Sequence, residues 1–271
     1  MDLLIQLATS SVIAVIVLLF AIQVVAREAG LWLGSRRHLL GTAERDNVGV
    51  LVGSMLALLA FVLALTLSFA NGRFQERRAE IEREASAISS SWTRAQAIGA
   101  PQSLEIARLL AEYAELRKSF VEAPPDAAAL APINARSDAI QARILQHLTA
   151  LLRERTDPAV VSLMNSLDDA FGATTRTRFA FTSHMPAQLF WLLIGMSVST
   201  MAALGYQIGL RGQKMRVLSL LLTAMWTMVI TDILDLSSAR VGNLRNDTTV
   251  FDWTLESFRT ENPGPTQPPA H

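Results

Sequence analysis

The sequence of 271 residues contains no cysteine, which excludes disulfide bonds, thiolate metal sites and cysteine nucleophiles. Its four histidines lie far apart and form no spaced metal-binding motif. No nucleophile–base–acid set and no glycine-rich phosphate loop occurs, so the sequence predicts no enzyme, no cofactor and no metal site. The formal net charge is zero, which gives no basic character for binding nucleic acid.

Long apolar runs are abundant. Hydrophobic residues make up 51% of the chain and charged residues 18%. The hydrophobic residues concentrate in four runs, each reaching the length of about 20 residues with which a helix spans a bilayer. The runs are 3–26, 48–70, 187–208 and 217–236. The sequence therefore predicts an all-α membrane protein with four transmembrane helices, embedded in a lipid bilayer.

A polar-rich segment separates the second run from the third. Short loops, 27–47 and 209–216, join the runs within each pair, so the central segment and both termini are expected on one side of the membrane. Apolar residues recur at helical spacing in the central segment, which predicts a helical extramembrane domain. The predicted organisation is transmembrane helices 1 and 2 in 1–70, the helical domain in 71–186, transmembrane helices 3 and 4 in 187–236, and a tail in 237–271 that is disordered after about residue 259.

The second apolar run passes into a densely charged segment without a residue that stops a helix. The first proline is Pro101, and Gly72 is the only glycine between residues 54 and 98. At 1.5 Å per residue, residues 48–97 would form one rod of roughly 75 Å. Asn71 and Gly72 mark the one position where a kink is expected.

The charged part of this rod keeps an apolar seam with heptad-like spacing, which is expected to pack against other helices. The seam consists of Phe74, Ile81, Ala85, Ile88, Trp92 and Ala95. The charged residues are expected on the other faces of the helix: Arg73, Glu76, Arg77, Arg78, Glu80, Glu82 and Glu84. Arg73 and Arg77 are like-charged residues four positions apart, and so are Glu76 and Glu80. Opposite charges of a neighbouring helix or subunit would stabilise both pairs. The alternative is a solvated charged face.

Within the membrane, Phe61, Leu65 and Phe69 recur at i, i+4 and i+8 and form a bulky stripe on one helix face. Such a stripe contacts lipid, packs in a helix bundle, or forms a hydrophobic constriction that gates ions by dewetting.

Asp232 and Asp235 lie near the end of the fourth apolar run and share roughly one helix face. An ionisable residue inside a span is a functional hypothesis by default, here the attraction of cations or the relay of protons. The alternative is that the two aspartates pair with Arg73, Arg77 and Arg78, which are expected at the same depth.

The stretch "SFANGRFQERRAEIE" resembles the end of the second transmembrane helix of bestrophins. Phe69, Asn71, Glu76, Arg77 and Glu80 fall at the positions of that motif, and the apolar stripe upstream matches the bestrophin pore neck. From about residue 49 to 255 the chain also looks like the bacterial bestrophin-like membrane family. The stretches "RFQERRAEIEREASAISSSWTRAQ", "LMNSLDDAF" and "MPAQLFWLL" carry that likeness.

This resemblance implies a homopentamer in a bacterial inner membrane that conducts small inorganic ions. The second helix of each subunit would line the pore and continue as the rod into the helical domain. Basic residues near the spans number seven on one side and eight on the other, which leaves the orientation undecided. The resemblance places the central domain and both termini in the cytosol.

Three functions remain open from the sequence. The first is a bestrophin-like ion channel with an apolar neck. The second is a membrane-anchored scaffold or interaction protein without transport, and the third is a small proton-coupled transporter that uses Asp232 and Asp235.

Overall fold

The computed structural model of the chain describes residues 12–36, 42–182, 186–212, 215–238, 240 and 247–261. These residues form eight helices and contain no strand, which confirms the predicted all-α fold. The helices are α1 (Val12–Ser35), α2 (Thr42–Ile98), α3 (Pro101–Glu122), α4 (Ala127–Glu154), α5 (Pro158–Thr182), α6 (Ala187–Arg211), α7 (Arg216–Ser237) and α8 (Thr249–Glu261).

Four of these helices, α1, α2, α6 and α7, are long and apolar enough to cross a membrane, as predicted. The long rod is also confirmed, because α2 runs for 57 residues and continues through Asn71 and Gly72. Helix α2 ends at Ile98 and is followed by Gly99, whose φ of +68° lies in the left-handed region that favours glycine. Pro101 then begins α3 in its first turn, where a proline costs no hydrogen bond.

The loop predicted at 27–47 is wrong at both ends. Helix α1 continues to Ser35, and α2 already begins at Thr42. The charge of Arg27 does not end the first helix, because its guanidinium is buried and donates a hydrogen bond of 2.8 Å to Ser219 Oγ in α7. The first part of the predicted span, up to residue 11, lies outside the described residues.

The described residues divide into two compact units. The membrane unit comprises Met1–Arg73 and His184–Leu244, and the bundle unit comprises Phe74–Ser183 and Arg245–His271. Both names refer below to the described residues within these ranges.

In the membrane unit, α1 and α6 run parallel and touch through their backbones. A Cβ atom added to Gly205 would lie 2.0 Å from the carbonyl oxygen of Arg27, and one added to Gly30 would lie 1.9 Å from that of Ala202. Gly34 and Gly209, one turn further on, make the same kind of contact. Each helix therefore contributes a Gly-x-x-x-Gly pair, a spacing that lets membrane helices approach closely.

The core of the membrane unit joins one face of α2 to the other spans. The buried apolar residues of this core are Val15, Leu19, Leu59, Leu63, Ala70, Leu193, Ile230 and Ile233. Their positions on α2 define which side of that helix is covered within the chain and which side is not.

The bundle unit buries the apolar faces that helical spacing predicts. The seam residues of α2 from Ile81 to Ala95 are buried, and Phe74 at its start is half-buried. In α3 and α4, the buried positions include Ile106, Leu110, Ile144 and Leu151. Each helix covers its stripe against a neighbour, as amphipathic helices do in water.

The tail predicted at 237–271 contains a helix that sequence reasoning missed, α8. Phe251 is fully buried, and the Phe258 ring stacks on Trp92 with the ring centroids 4.5 Å apart. Lys118 of α3 donates a hydrogen bond to Asp252. Two aromatic residues seven positions apart give this short segment an apolar face to bury. The helix extends to Glu261, past the predicted start of disorder at about 259, and residues 262–271 lie outside those described.

Candidate functional site

The predicted neck residues lie on an uncovered side of α2. The side chains of Phe61, Leu65 and Phe69 are exposed within the chain, by 60%, 56% and 41%. Leu59 and Leu63, between and beside them in sequence, are buried in the core of the membrane unit. At about 100° per residue, Phe61 and Leu65 point away from that core, and Phe69 flanks them. The stripe is therefore available to lipid or to another copy of the chain.

The C-terminal end of the stripe, beyond Phe69, is polar. The Arg73 guanidinium lies over the Phe69 ring, 5.3 Å from its centroid, in a cation–π arrangement. Arg73 is half-buried, whereas Asn71 is exposed. The apolar stripe thus meets positive charge one turn beyond its last ring.

The charged motif of α2 is not a uniformly solvated face. Arg77 and Glu80 are buried in the bundle unit, and Glu76 is exposed. The Glu80 carboxylate forms ion pairs with Arg83 of the same helix and with Arg176 of α5, whose Nε lies 3.4 Å away. A neighbouring helix therefore supplies the opposite charge that the like-charged pair of Glu76 and Glu80 was expected to need.

Glu84 is a third buried charge of α2. Like Arg77 and Glu80, it is buried although it was predicted on a face away from the apolar seam. Glu84 and Arg117 of α3 form an ion pair in which both side chains are completely buried. The covered side of α2 is therefore wider than the seam. Glu84 can be buried on it because the Arg117 guanidinium supplies the opposite charge within the core. Hydrogen bonds to the Glu84 carboxylate help to offset the cost of removing such a pair from water.

Those hydrogen bonds form a chain of hydroxyl and amide groups. Thr174 Oγ1 donates to Glu84 Oε1 at 2.8 Å, and the Tyr113 hydroxyl lies 2.7 Å from Thr174 Oγ1. Gln141 Nε2 donates to the Tyr113 oxygen at 2.7 Å. Burial raises the pKa of the Tyr113 phenol above its usual value of 10.0, so that the hydroxyl remains a donor. This network connects α2, α3, α4 and α5.

The two membrane acids differ in their surroundings. Asp232 is exposed and Asp235 is half-buried on α7. Their pairing with arginines of α2 remains a prediction. Within the described residues, no three histidine or acidic side chains converge in a way that could hold a metal ion.

Sequence reasoning missed a buried arginine in the membrane unit. Besides its bond to Ser219, Arg27 donates to the carbonyl oxygen of Arg216 at 3.4 Å and pairs with the Glu28 carboxylate. The buried Gln23 lies one turn before it on α1. The signal was present in the sequence, since Gln23 and Arg27 are four residues apart within a run of apolar residues.

Solved structures share this arrangement of helices. The crystal structure of a bacterial bestrophin homologue from Klebsiella pneumoniae aligns with a TM-score of 0.64 at 15% sequence identity, covering 96% of this chain and 100% of that one. A variant of that homologue with one tryptophan replaced by alanine gives a TM-score of 0.66 at 15% identity, with coverages of 94% and 98%. A structure described as a membrane protein variant gives 0.66 at 15% identity, with coverages of 92% and 97%.

No protein-family model and no curated protein matches the sequence. The structural likeness covers nearly the whole chain. The chain therefore has the bestrophin fold, and the resemblance drawn from the sequence motifs is confirmed at the level of the fold.

Proposed function

We propose that this membrane protein is the subunit of a homopentameric, bestrophin-like ion channel rather than an enzyme. The second membrane helix of each subunit lines the pore, and Phe61, Leu65 and Phe69 form its apolar neck. The helical domain and both termini lie in the cytosol of a bacterium, and the spans lie in its inner membrane.

One observation carries this proposal. Among the 18 residues that form the most apolar stretch of α2, 17% are buried within the chain. The corresponding share is 28–33% in α1, α6 and α7. The span with the least cover is also the one that carries the bulky stripe. A ring of such stripes around an axis would form a narrow apolar passage, which gates ions by dewetting.

Ion flux from proteoliposomes tests the neck with a matched pair of variants. Leu65→Ala widens the proposed constriction and is expected to raise the flux. Leu67→Ala removes the same side chain at nearly the same depth, but Leu67 lies on the other side of α2 by helical periodicity. It is expected to leave the flux unchanged. An unchanged flux in a Leu65→Ala complex of wild-type size would refute the neck.

The same assay separates the competing functions. A correctly assembled protein that conducts no ion in any variant is a scaffold. A pH-dependent transport that Asp232→Asn abolishes, with the assembly intact, identifies a proton-coupled transporter.

A further inference from the structure

A groove lies between α6 and α7 of the membrane unit. Its volume is about 400 Å³, within the range of about 300–1,000 Å³ that is usual for small-molecule sites. Leu204, Leu222 and Met225 contribute to its apolar wall. Gln207, Arg211 and Ser219 supply its polar groups.

The polar groups lie at one end of the groove. Helix α6 ends at Arg211 and α7 begins at Arg216, and these are also the ends of the two apolar spans. Leu204 is seven residues before Arg211, and Met225 is nine residues after Arg216. At 1.5 Å per residue, the groove runs roughly 10–13 Å from the membrane boundary into the apolar part of the unit.

Positive charge prevails at the polar end. The guanidinium of the buried Arg27 donates to Ser219 Oγ, so a second arginine stands behind the polar wall. Glu28 pairs with Arg27, and Asp46 approaches Arg211 at 4.0 Å while being 82% exposed. Asp46 therefore neutralises the Arg211 guanidinium only weakly, because an exposed carboxylate at the limit of ion-pair distance is screened by water.

The side chains of Gln207 and Arg211 are held toward the start of α2. A Cβ atom added to Gly49 would lie 3.1 Å from Gln207 Nε2 and 3.0 Å from Arg211 Nη2. The missing side chain of Gly49 therefore leaves room for both donors beside the groove.

We propose that this groove binds one anionic phospholipid of the surrounding bilayer. The phosphate accepts hydrogen bonds from Arg211 and Gln207, and one acyl chain lies along Leu204, Leu222 and Met225. The gradient from charged to apolar follows the membrane normal, as in a lipid, and a basic residue near the membrane surface attracts anionic headgroups. The proposal holds whether or not the protein conducts ions.

Native mass spectrometry of the full chain in detergent, titrated with phosphatidylglycerol or phosphatidylcholine, tests this site. The wild type is expected to bind one phosphatidylglycerol per chain more tightly than phosphatidylcholine. Arg211→Gln is expected to weaken phosphatidylglycerol binding about fivefold, since one arginine near a lipid surface contributes that much. Arg36→Gln is the matched control, because Arg36 follows the end of α1 and instead stacks on Trp32.

A second pair of variants tests the acyl part of the groove. Leu222→Trp fills the groove and is expected to abolish the retained lipid. Met228→Trp adds the same ring at an exposed position of α7 that does not line the groove, and it is expected to leave the lipid bound. Any of three results would overturn the proposal. The wild type could bind both lipids with equal affinity, Arg36→Gln could have the same effect as Arg211→Gln, or Leu222→Trp could retain the lipid. A wild-type complex without retained lipid would do the same and would indicate that a neighbouring subunit covers the groove.

Discussion

Different interactions stabilise the interior of the membrane unit and the interior of the bundle unit. In the membrane unit, the glycines of α1 and α6 bring backbone against backbone, and a single added Cβ atom would collide with a carbonyl oxygen. In the bundle unit, long apolar side chains and a fully buried ion pair fill the interior. Lipid tails are as apolar as the side chains, so membrane helices gain from close contact rather than from burial. In water, removing apolar surface from solvent is the main driving force.

This difference predicts that the largest effect of a single side chain lies in the bundle unit, at Glu84. Glu84→Gln leaves Arg117 charged and buried without a carboxylate, which is expected to lower the free energy of unfolding by about 3–5 kcal/mol. Glu82→Gln is the control on the same helix, because Glu82 forms an exposed pair with Arg78 at 3.1 Å. Its loss is expected to cost at most about 1 kcal/mol. Chemical denaturation of the full chain in detergent measures both, and equal costs would contradict the assignment.

The next effect is expected at the glycine contact of the membrane unit. Gly205→Ala places a methyl group against the backbone of Arg27, where no flexible side chain can yield, and is expected to destabilise the protein by about 1–3 kcal/mol. Gly195→Ala in the same helix meets no atom within 4 Å. It should stabilise the protein by about 0.5–1 kcal/mol, because alanine favours a helix over glycine. Melting temperatures in detergent should therefore shift in opposite directions, and a shared direction would refute the close contact.

A smaller effect is expected in the hydroxyl chain beside Glu84. Thr174→Val removes the donor to the Glu84 carboxylate and is expected to cost about 1–2 kcal/mol. Thr175→Val is expected to be nearly neutral, because the exposed Thr175 hydroxyl bonds to the Phe171 carbonyl of its own helix. Denaturation curves of the two variants decide this, and an equal loss in both would argue against a role for the network.

The smallest effect is a pH dependence at the start of α5. The backbone N–H of Val160, followed by Arg155, holds the pKa of the Asp157 carboxyl below its usual value of 3.8. Because the folded pKa is lowered, the stabilisation is present above about pH 4 and is lost as pH falls through the folded value. Asp157→Asn keeps a capping oxygen but does not titrate. Wild type is expected to melt above this variant at pH 7, and the difference is expected to shrink as the pH is lowered below about 4. A difference that stays constant on acidification would contradict the prediction.

Much of the fold could be predicted from local patterns. The four spans follow from run length, the unbroken α2 follows from the lack of proline, and the buried seam follows from its spacing. Each of these depends on residues close together in sequence. The exposure of Phe61 and Leu65 agrees with the predicted bulky stripe on one face of α2. The partner of that stripe, lipid or another copy of the chain, lies outside the fold of a single chain.

The missed features depend on residues far apart in sequence. Glu84 meets Arg117 across 33 positions, and Arg27 meets Ser219 across 192. A charged residue in a heptad pattern indicates a solvated face until its partner is known, so Glu84 was placed on the wrong side. The Gly-x-x-x-Gly pairs at 30–34 and 205–209 were visible in the sequence and would have predicted the contact of α1 with α6.

In the proposed channel, the uncovered stripe of α2 faces an axis shared by several copies of the chain. The mass of the purified complex, measured by native mass spectrometry in detergent or nanodiscs, tests this most directly. Five chains per complex is the predicted result, since a ring then receives one copy of Phe61, Leu65 and Phe69 from each subunit. A monomer or dimer cannot build that ring, and finding either as the stable form would contradict the account.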